Sequence, residues 1–188
     1  MFQPAIGGQM FGHHVVGQVG QFRLALWVGV TIAYVGDGNN VANSLCLGAA
    51  ISGMHFRIAS PPGYELDPAV LRKAEELAAQ SGGSVMQIEE PYEAVEGADV
   101  VYTDVWASMG QEREAALRRE DFAGYTVDAK LMARATPDAI FMHDLPAHRG
   151  EEVTAEVIDG PQSVVFDQAE NRMHAQKALL ALILGEED

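Results

Sequence analysis

Short apolar, β-branched runs alternate along this chain with stretches of helical period, and few topologies accept that alternation. Val30 to Val35, Met54 to Ala59, Val85 to Ile88, Ala98 to Thr103 and a run ending in Ile140 to Met142 read as strands, with a last short one expected over Ser163 to Phe166. Helices are expected between them: from Val41 to about Ser52, from Asp67-Pro68 to Gly82-Gly83, over Pro91 to Glu96, from Glu112 to about Glu120 and over Tyr125 to Ala135. A short helix should begin at Glu151 and a long one should run from Asp167 to the C-terminus. The first strand has no alternating polar face, as in a sheet buried on both sides, and strand-helix-strand repeats at this spacing give parallel strands with right-handed crossovers. The expected fold is therefore α/β: a Rossmann-like three-layer domain with a mainly parallel central sheet flanked by helices.

In such a sheet, ligands sit at the carboxyl ends of the strands. Three stretches of this chain reach that rim. Gly36-Asp37-Gly38-Asn39-Asn40 turns sharply out of the first strand, and Asn39 or Asn40 can cap the following helix while free amides face an anion. Asp104-Val105-Trp106-Ala107-Ser108-Met109 follows the fourth strand, where Asp104 is placed to meet a cation; as a plain loop and cap, Asp104 and Ser108 need no ligand. His143-Asp144-Leu145-Pro146 ends the fifth strand, because Pro146 cannot donate to a ladder. Arg172 stands near the start of the last helix, where an ion pair with Glu170 is its ordinary fate. The charged run Arg113 to Asp121 reads as a solvated helix face. Amides suit a carboxylate and a carboxylate suits an ammonium, so a zwitterionic amino acid fits this rim.

The balance of 27 acidic against 12 basic residues, net charge -15, argues against a nucleic acid or an anionic membrane as partner. The single cysteine, Cys46, lies among Leu45, Leu47, Ala49 and Ala50 and reads as a buried structural thiol, which suits a cytoplasmic protein. No Cys/His spacing resembles a zinc site, and neither metal nor cofactor is implied. The apolar run Ala25 to Val35 falls far short of the roughly 20 residues that span a bilayer. Residues 1–28 are expected to be an irregular lead-in, with glycines at 7, 8, 12, 17 and 20 and no sustained period.

Four motifs occur in one order: Gly36-Asp37-Gly38-Asn39-Asn40, Asp104-x-Trp106-x-Ser108-Met109-Gly110-Gln111-Glu112, His143-x-Leu145-Pro146 and Glu170-Asn171-Arg172. With them the chain resembles the ornithine carbamoyltransferases over about residues 30–186, specifically their ornithine-binding domain, expected here over 29–188. The resemblance implies transfer of the carbamoyl group of carbamoyl phosphate to the ornithine δ-amine, giving citrulline and phosphate, a step of arginine biosynthesis. It implies that Asn40 binds the ornithine α-carboxylate and that Asp104, Ser108 and the Met109 backbone hold the α-amino group. His143, Asp144 and Leu145 would lie beside the reacting amine, the Leu145 carbonyl accepting from it, and Arg172 would polarise the carbamoyl oxygen.

The chain departs from that family twice. Asp144 stands where the family has cysteine, and a carboxylate there favours the charged, non-nucleophilic amine and repels a phosphate dianion, so slower chemistry is expected. The family's phosphate loop and the rest of its carbamoyl phosphate domain have no counterpart in these residues, so the chain is expected to be a fragment, inactive alone. Its last helix would then expose the face that packs on that domain, and the trimer of the family, built largely through it, would not form normally. Two other readings stand beside this one: a non-catalytic amino-acid-binding or regulatory module, and a nucleotide-binding domain, disfavoured because no acidic residue closes the second strand to hold a ribose.

Overall fold

Every residue of β1 (Thr31–Val35) is buried, and its side chains serve two separate cores. The computed structural model describes residues 27–107 and 114–185. Ile32 and Tyr34 point into a core with Phe56, Ile58 and the small residues of α1 (Asn40–Ile51) and α2 (Pro68–Ser81), while Ala33 and Val35 face one built around Phe122, Phe141, Val127 and Leu131. A strand that must be apolar on both faces belongs at the centre of a three-layer domain. The sheet order is β3-β2-β1-β4-β5, all parallel, with β2 (His55–Ala59), β3 (Ser84–Ile88), β4 (Val100–Thr103) and β5 (Ile140–His143). This is the expected α/β architecture.

Local chemistry sets the helix ends. Asn39 caps α1 by accepting from the Val41 and Ala42 amides, and Ala42, Cys46, Ala49 and Ala50 form its buried face, small enough to lie close to the sheet. Asp67 caps α2, Pro68 opens it, and Gly82 closes it in the left-handed region at φ 86°. Cys46 is fully buried and desolvation pushes its thiol up to about 11, as expected of a structural cysteine. The fully buried Phe56, Phe122 and Phe141 each contribute about 1.5–3 kcal/mol of transfer free energy.

Beyond β4 the structure corrects several sequence expectations. The helix expected over 125–135 is only α5 (Ala129–Met132), capped by Asp128; before it the backbone is extended, with Val127 N–H donating to the Glu152 carbonyl and Thr154 N–H to the Val127 carbonyl. That bridging also keeps residues 151–154 out of a helix, so α6 begins later, at Ala155–Ile158. The strand expected over Ser163–Phe166 is a single bridge to Phe141, because α7 (Val165–Leu184) starts at once. After α3 (Pro91–Val95) and β4, α4 spans Ala115–Asp121. The expected lead-in lies almost wholly outside the described residues.

The first turns of α7 pack on β5, while Met173, Leu179, Leu182 and Ile183 further along it are exposed. No helix among the described residues is long and apolar enough to cross a membrane.

Candidate functional site

The strand order reverses direction between β1 and β4, which opens a crevice at their carboxyl ends. Thr103 Oγ1 donates to the Val35 carbonyl at 2.6 Å and ties the two strand ends together there. Out of β1 comes the glycine turn. Gly38 N–H donates to the Tyr64 carbonyl at 2.7 Å, and a Cβ at Gly38 would fall 2.4 Å from the Glu65 backbone. Gly36 N–H donates to the Ala59 carbonyl. With the Val41 and Ala42 amides taken by Asn39, four amides of the turn and of the helix start it leads into are spent on the protein itself.

Asn39 works at both ends of its side chain: Oδ1 caps α1 and Nδ2 donates to Asp104 Oδ2 at 2.8 Å across the crevice. Asp104 is only 6% exposed, and its Oδ1 accepts from the Val105 amide at 2.7 Å. Asp144 stands beside it, at the end of β5. Single donor or acceptor atoms of Asp104, His143 and Asp144 all lie within 4.8 Å of one another. Burial first, and then the neighbouring Asp104 carboxylate, push the Asp144 carboxyl up to about 6. Beneath this pair Tyr34 and Tyr102 stack at 5.7 Å; burial and the surrounding acids push both phenols upward.

His143 is wholly buried. Its Nδ1 accepts from the Leu145 amide at 2.9 Å, which places the ring proton on Nε2, facing Glu152 Oε1 at 3.3 Å. Glu152 is itself fully buried and accepts from the His148 amide. Nothing in the sequence marked Glu152, since it sits in an acidic pair that reads as surface. In the Asp104, His143, Asp144 group, the ring nitrogen on the Asp144 side already accepts from the Leu145 amide, and in the His148, Glu151, Glu152 group Glu151 is paired with Arg119.

Arg118 also escaped the sequence reading. Expected on a solvated face, it is buried: one guanidinium nitrogen donates to Asp37 at 2.6 Å and to the Trp106 carbonyl at 2.7 Å, and the group lies over the Tyr64 ring. The aliphatic length of arginine carries its charge inward from α4 to the base of the rim. Gln168 was missed too. It accepts from the His143 amide at 3.0 Å and donates to the Tyr102 hydroxyl at 2.9 Å, fastening α7 to the ends of β5 and β4.

Of the residues singled out from sequence, the structure brings Asp104, His143 and Asp144 together. Arg172 joins them from α7, donating to the Asp144 carbonyl at 3.0 Å rather than pairing with Glu170. Leu145 adopts φ 58° at the corner. Asn40 is exposed at the start of α1, next to the residue that does the capping. Ser108 and Met109 lie outside the described residues. A hollow of about 230 Å³ lined by Met132, Val157 and Pro161 is remote from this chemistry, below the amino end of β5.

The family model described as aspartate/ornithine carbamoyltransferase, Asp/Orn binding domain, matches residues 28–183. An ornithine carbamoyltransferase of Symbiobacterium thermophilum is 64% identical over 163 residues, 87% of this chain and 53% of that protein. The anabolic ornithine carbamoyltransferase of Pyrococcus furiosus is 58% identical over 157 residues, 84% of this chain and 50% of that protein. Among solved structures, the Pyrococcus furiosus ornithine carbamoyltransferase superposes with a TM-score of 0.81 at 56% identity, covering 86% of this chain and 51% of its own. Ornithine transcarbamoylase of Giardia lamblia gives 0.78 at 38% identity, covering 86% and 53%. The chain spans about half the length of the curated relatives it matches. A parallel domain with its acids gathered at the switch point, matched by the family model over nearly all its described length, belongs to the aspartate/ornithine carbamoyltransferase family, in the Asp/Orn binding domain.

Proposed function

We propose that residues 29–188 form the ornithine-binding half of an ornithine carbamoyltransferase. The observation that carries this is the meeting of Asp104, Asp144 and Arg172, from three separate elements, at one crevice. Asp104, oriented by Asn39 and the Val105 amide, is an acceptor for the ornithine α-amino group, assisted by Ser108 and Met109, and Asn40 takes the α-carboxylate. The δ-amine then reaches the His143, Asp144, Leu145 corner, where the Leu145 carbonyl accepts from it.

The δ-amine attacks the carbamoyl carbon as the neutral base, phosphate leaves, and citrulline forms once the amine loses its remaining extra proton. Arg172, exposed and held among the described residues through the Asp144 carbonyl, polarises the carbamoyl oxygen. Carbamoyl phosphate would be held largely by the part of the relatives' length that this chain does not span, and the trimer of full-length members would be built there too. A carboxylate at 144 makes the step slower than a thiol would, because at neutral pH it favours the ammonium form. The reaction belongs in the cytoplasm, as a step of arginine biosynthesis.

Calorimetry on the full chain tests the reading. L-Ornithine should bind, L-aspartate should not, and Asp104→Asn should weaken ornithine by about tenfold or more, as expected for loss of a charged hydrogen bond. Equal binding of aspartate, or indifference to Asp104→Asn, would sink it.

A further inference from the structure

We infer that Asp104 and Asp144 form one proton-sharing unit at the crevice, and that an alkylammonium group seats against it by displacing the shared proton. The inference deepens the ornithine reading and rests on it for the identity of the ligand.

The geometry distinguishes the two acids. Asp104 is fixed as an acceptor, with the Asn39 amide on one oxygen and the Val105 amide on the other. Asp144 is less well provided: its own backbone amide is the one amide donor near its carboxyl among the described residues, and its Oδ1 is out of water and without a hydrogen-bond partner among them. Nor does a cation answer either carboxylate among the described residues. Arg118 is committed to Asp37 and the Trp106 carbonyl, and Arg172 reaches the backbone oxygen of Asp144 rather than its carboxylate. His143 Nδ1 lies 3.7 Å from Asp144 Oδ1, but it accepts from Leu145 and has no proton to give. Its other nitrogen faces Glu152, on the far side of the ring.

From β1 and β4 the pair is faced by the phenols of Tyr34 and Tyr102. The Tyr102 oxygen accepts from Gln168, and the Tyr34 hydroxyl has no partner among the described residues. Two carboxylates this close, largely out of water and without a counter-charge among the described residues, cannot both stay ionised without penalty, so a proton bridging them is the least costly state. The elevated titration of Asp144, caused by burial and by Asp104, agrees with this.

The exchange balances in charge. A protonated pair carries one negative charge; an arriving R–NH₃⁺ takes the place of the shared proton as its countercharge, the proton leaves to solvent, and the ammonium ends hydrogen-bonded to two carboxylates. A neutral ligand has no charge with which to displace the proton.

Carboxyl ¹³C titration of the aspartate-labelled full chain tests this, with Asp144→Asn to assign the signal. One carboxyl should titrate near pH 6. It should vanish in Asp144→Asn and fall back toward the ordinary carboxylate range in Asp104→Asn. Saturating L-ornithine, and separately n-butylammonium, should lower the midpoint by about one pH unit or more, equivalent to roughly tenfold weaker binding in acid than in mild base. A midpoint below 5 in the free protein, or binding that leaves the midpoint in place, would overturn the inference, as would failure of both ammonium probes to bind. A shift with n-butylammonium but none with ornithine would uphold the proton exchange and sink the ornithine reading instead.

Discussion

Asp37 and Asp104 leave neighbouring strands at the same rim, and both are buried, yet they have opposite surroundings. Asp37 meets the Arg118 guanidinium at 2.6 Å, a contact sealed by the Tyr64 ring and continued to the Trp106 carbonyl. Asp104 meets amides and another carboxylate. Two negative charges within 4.8 Å repel by about 3 kcal/mol at an effective dielectric constant near 20. That repulsion adds to the larger effect of burial in raising Asp144 from 3.8 to about 6. A buried acid whose countercharge is built in has nothing left to offer a ligand, whereas one whose neighbours add to its charge is waiting for a cation. The first arrangement holds the turn and the Trp106 segment in place; the second is where chemistry can happen.

Breaking the compensated pair should have the largest effect. Arg118→Met leaves the Asp37 carboxylate buried without its partner and the Trp106 carbonyl without its donor, and should cost about 3–5 kcal/mol in urea unfolding. Adding Asp37→Asn should recover a substantial part, because the penalty is mostly the orphaned charge. A single-variant cost below about 1 kcal/mol would show that the pair does not hold the rim.

At the uncompensated pair the sign reverses. Asp144 binds its proton more tightly folded than unfolded, so between about pH 4 and pH 6 the native state holds more protons and stability falls as pH rises. Above that window the full penalty is present; below it there is none. Asp144→Asn should therefore stabilise the protein at pH 7 by about 1–2 kcal/mol, a figure reduced because the side chain is partly solvated, and should be neutral near pH 4. Unfolding curves of both proteins from pH 4 to 8 measure the difference directly. A constant offset across the range would remove Asp104–Asp144 repulsion as its cause.

The contrast between the two acids was only half legible in the sequence. The strands and the rim could be read because β-branched runs end in glycine, aspartate or proline, and those residues carry their backbone restrictions wherever they occur. Asp104, His143 and Asp144 stood out for the same reason, at strand ends. Arg118 and Glu152 did not, since each sits among charged neighbours and differs from them only in which way its helix or turn faces. Period alone did not mark Arg118: Leu117 beside it is exposed while Arg118 is buried, the reverse of what their side chains suggest. The failed helix at 125–128 has a similar origin, in which a long-range bridge from Val127 to Val153 outweighs local propensity.

The smallest expected effect isolates what burial contributes to the Arg118 contacts. Glu114 also approaches this guanidinium, at 3.5 Å from Nε, but its side chain is 61% exposed. Water screens that pair, the long glutamate loses rotamer freedom in making it, and Nε has no hydrogen-bond partner among the described residues despite its proximity. Glu114→Gln should therefore cost no more than about 0.5 kcal/mol, and less at high salt, where exposed ion pairs fade within a Debye length of about 3 Å at 1 M. Asp37→Asn, by contrast, should remain costly at any salt concentration because its contact is shielded from ions. If the two substitutions cost the same and respond alike to salt, Arg118 is an ordinary surface arginine and the distinction between the compensated and uncompensated acids of this rim is lost.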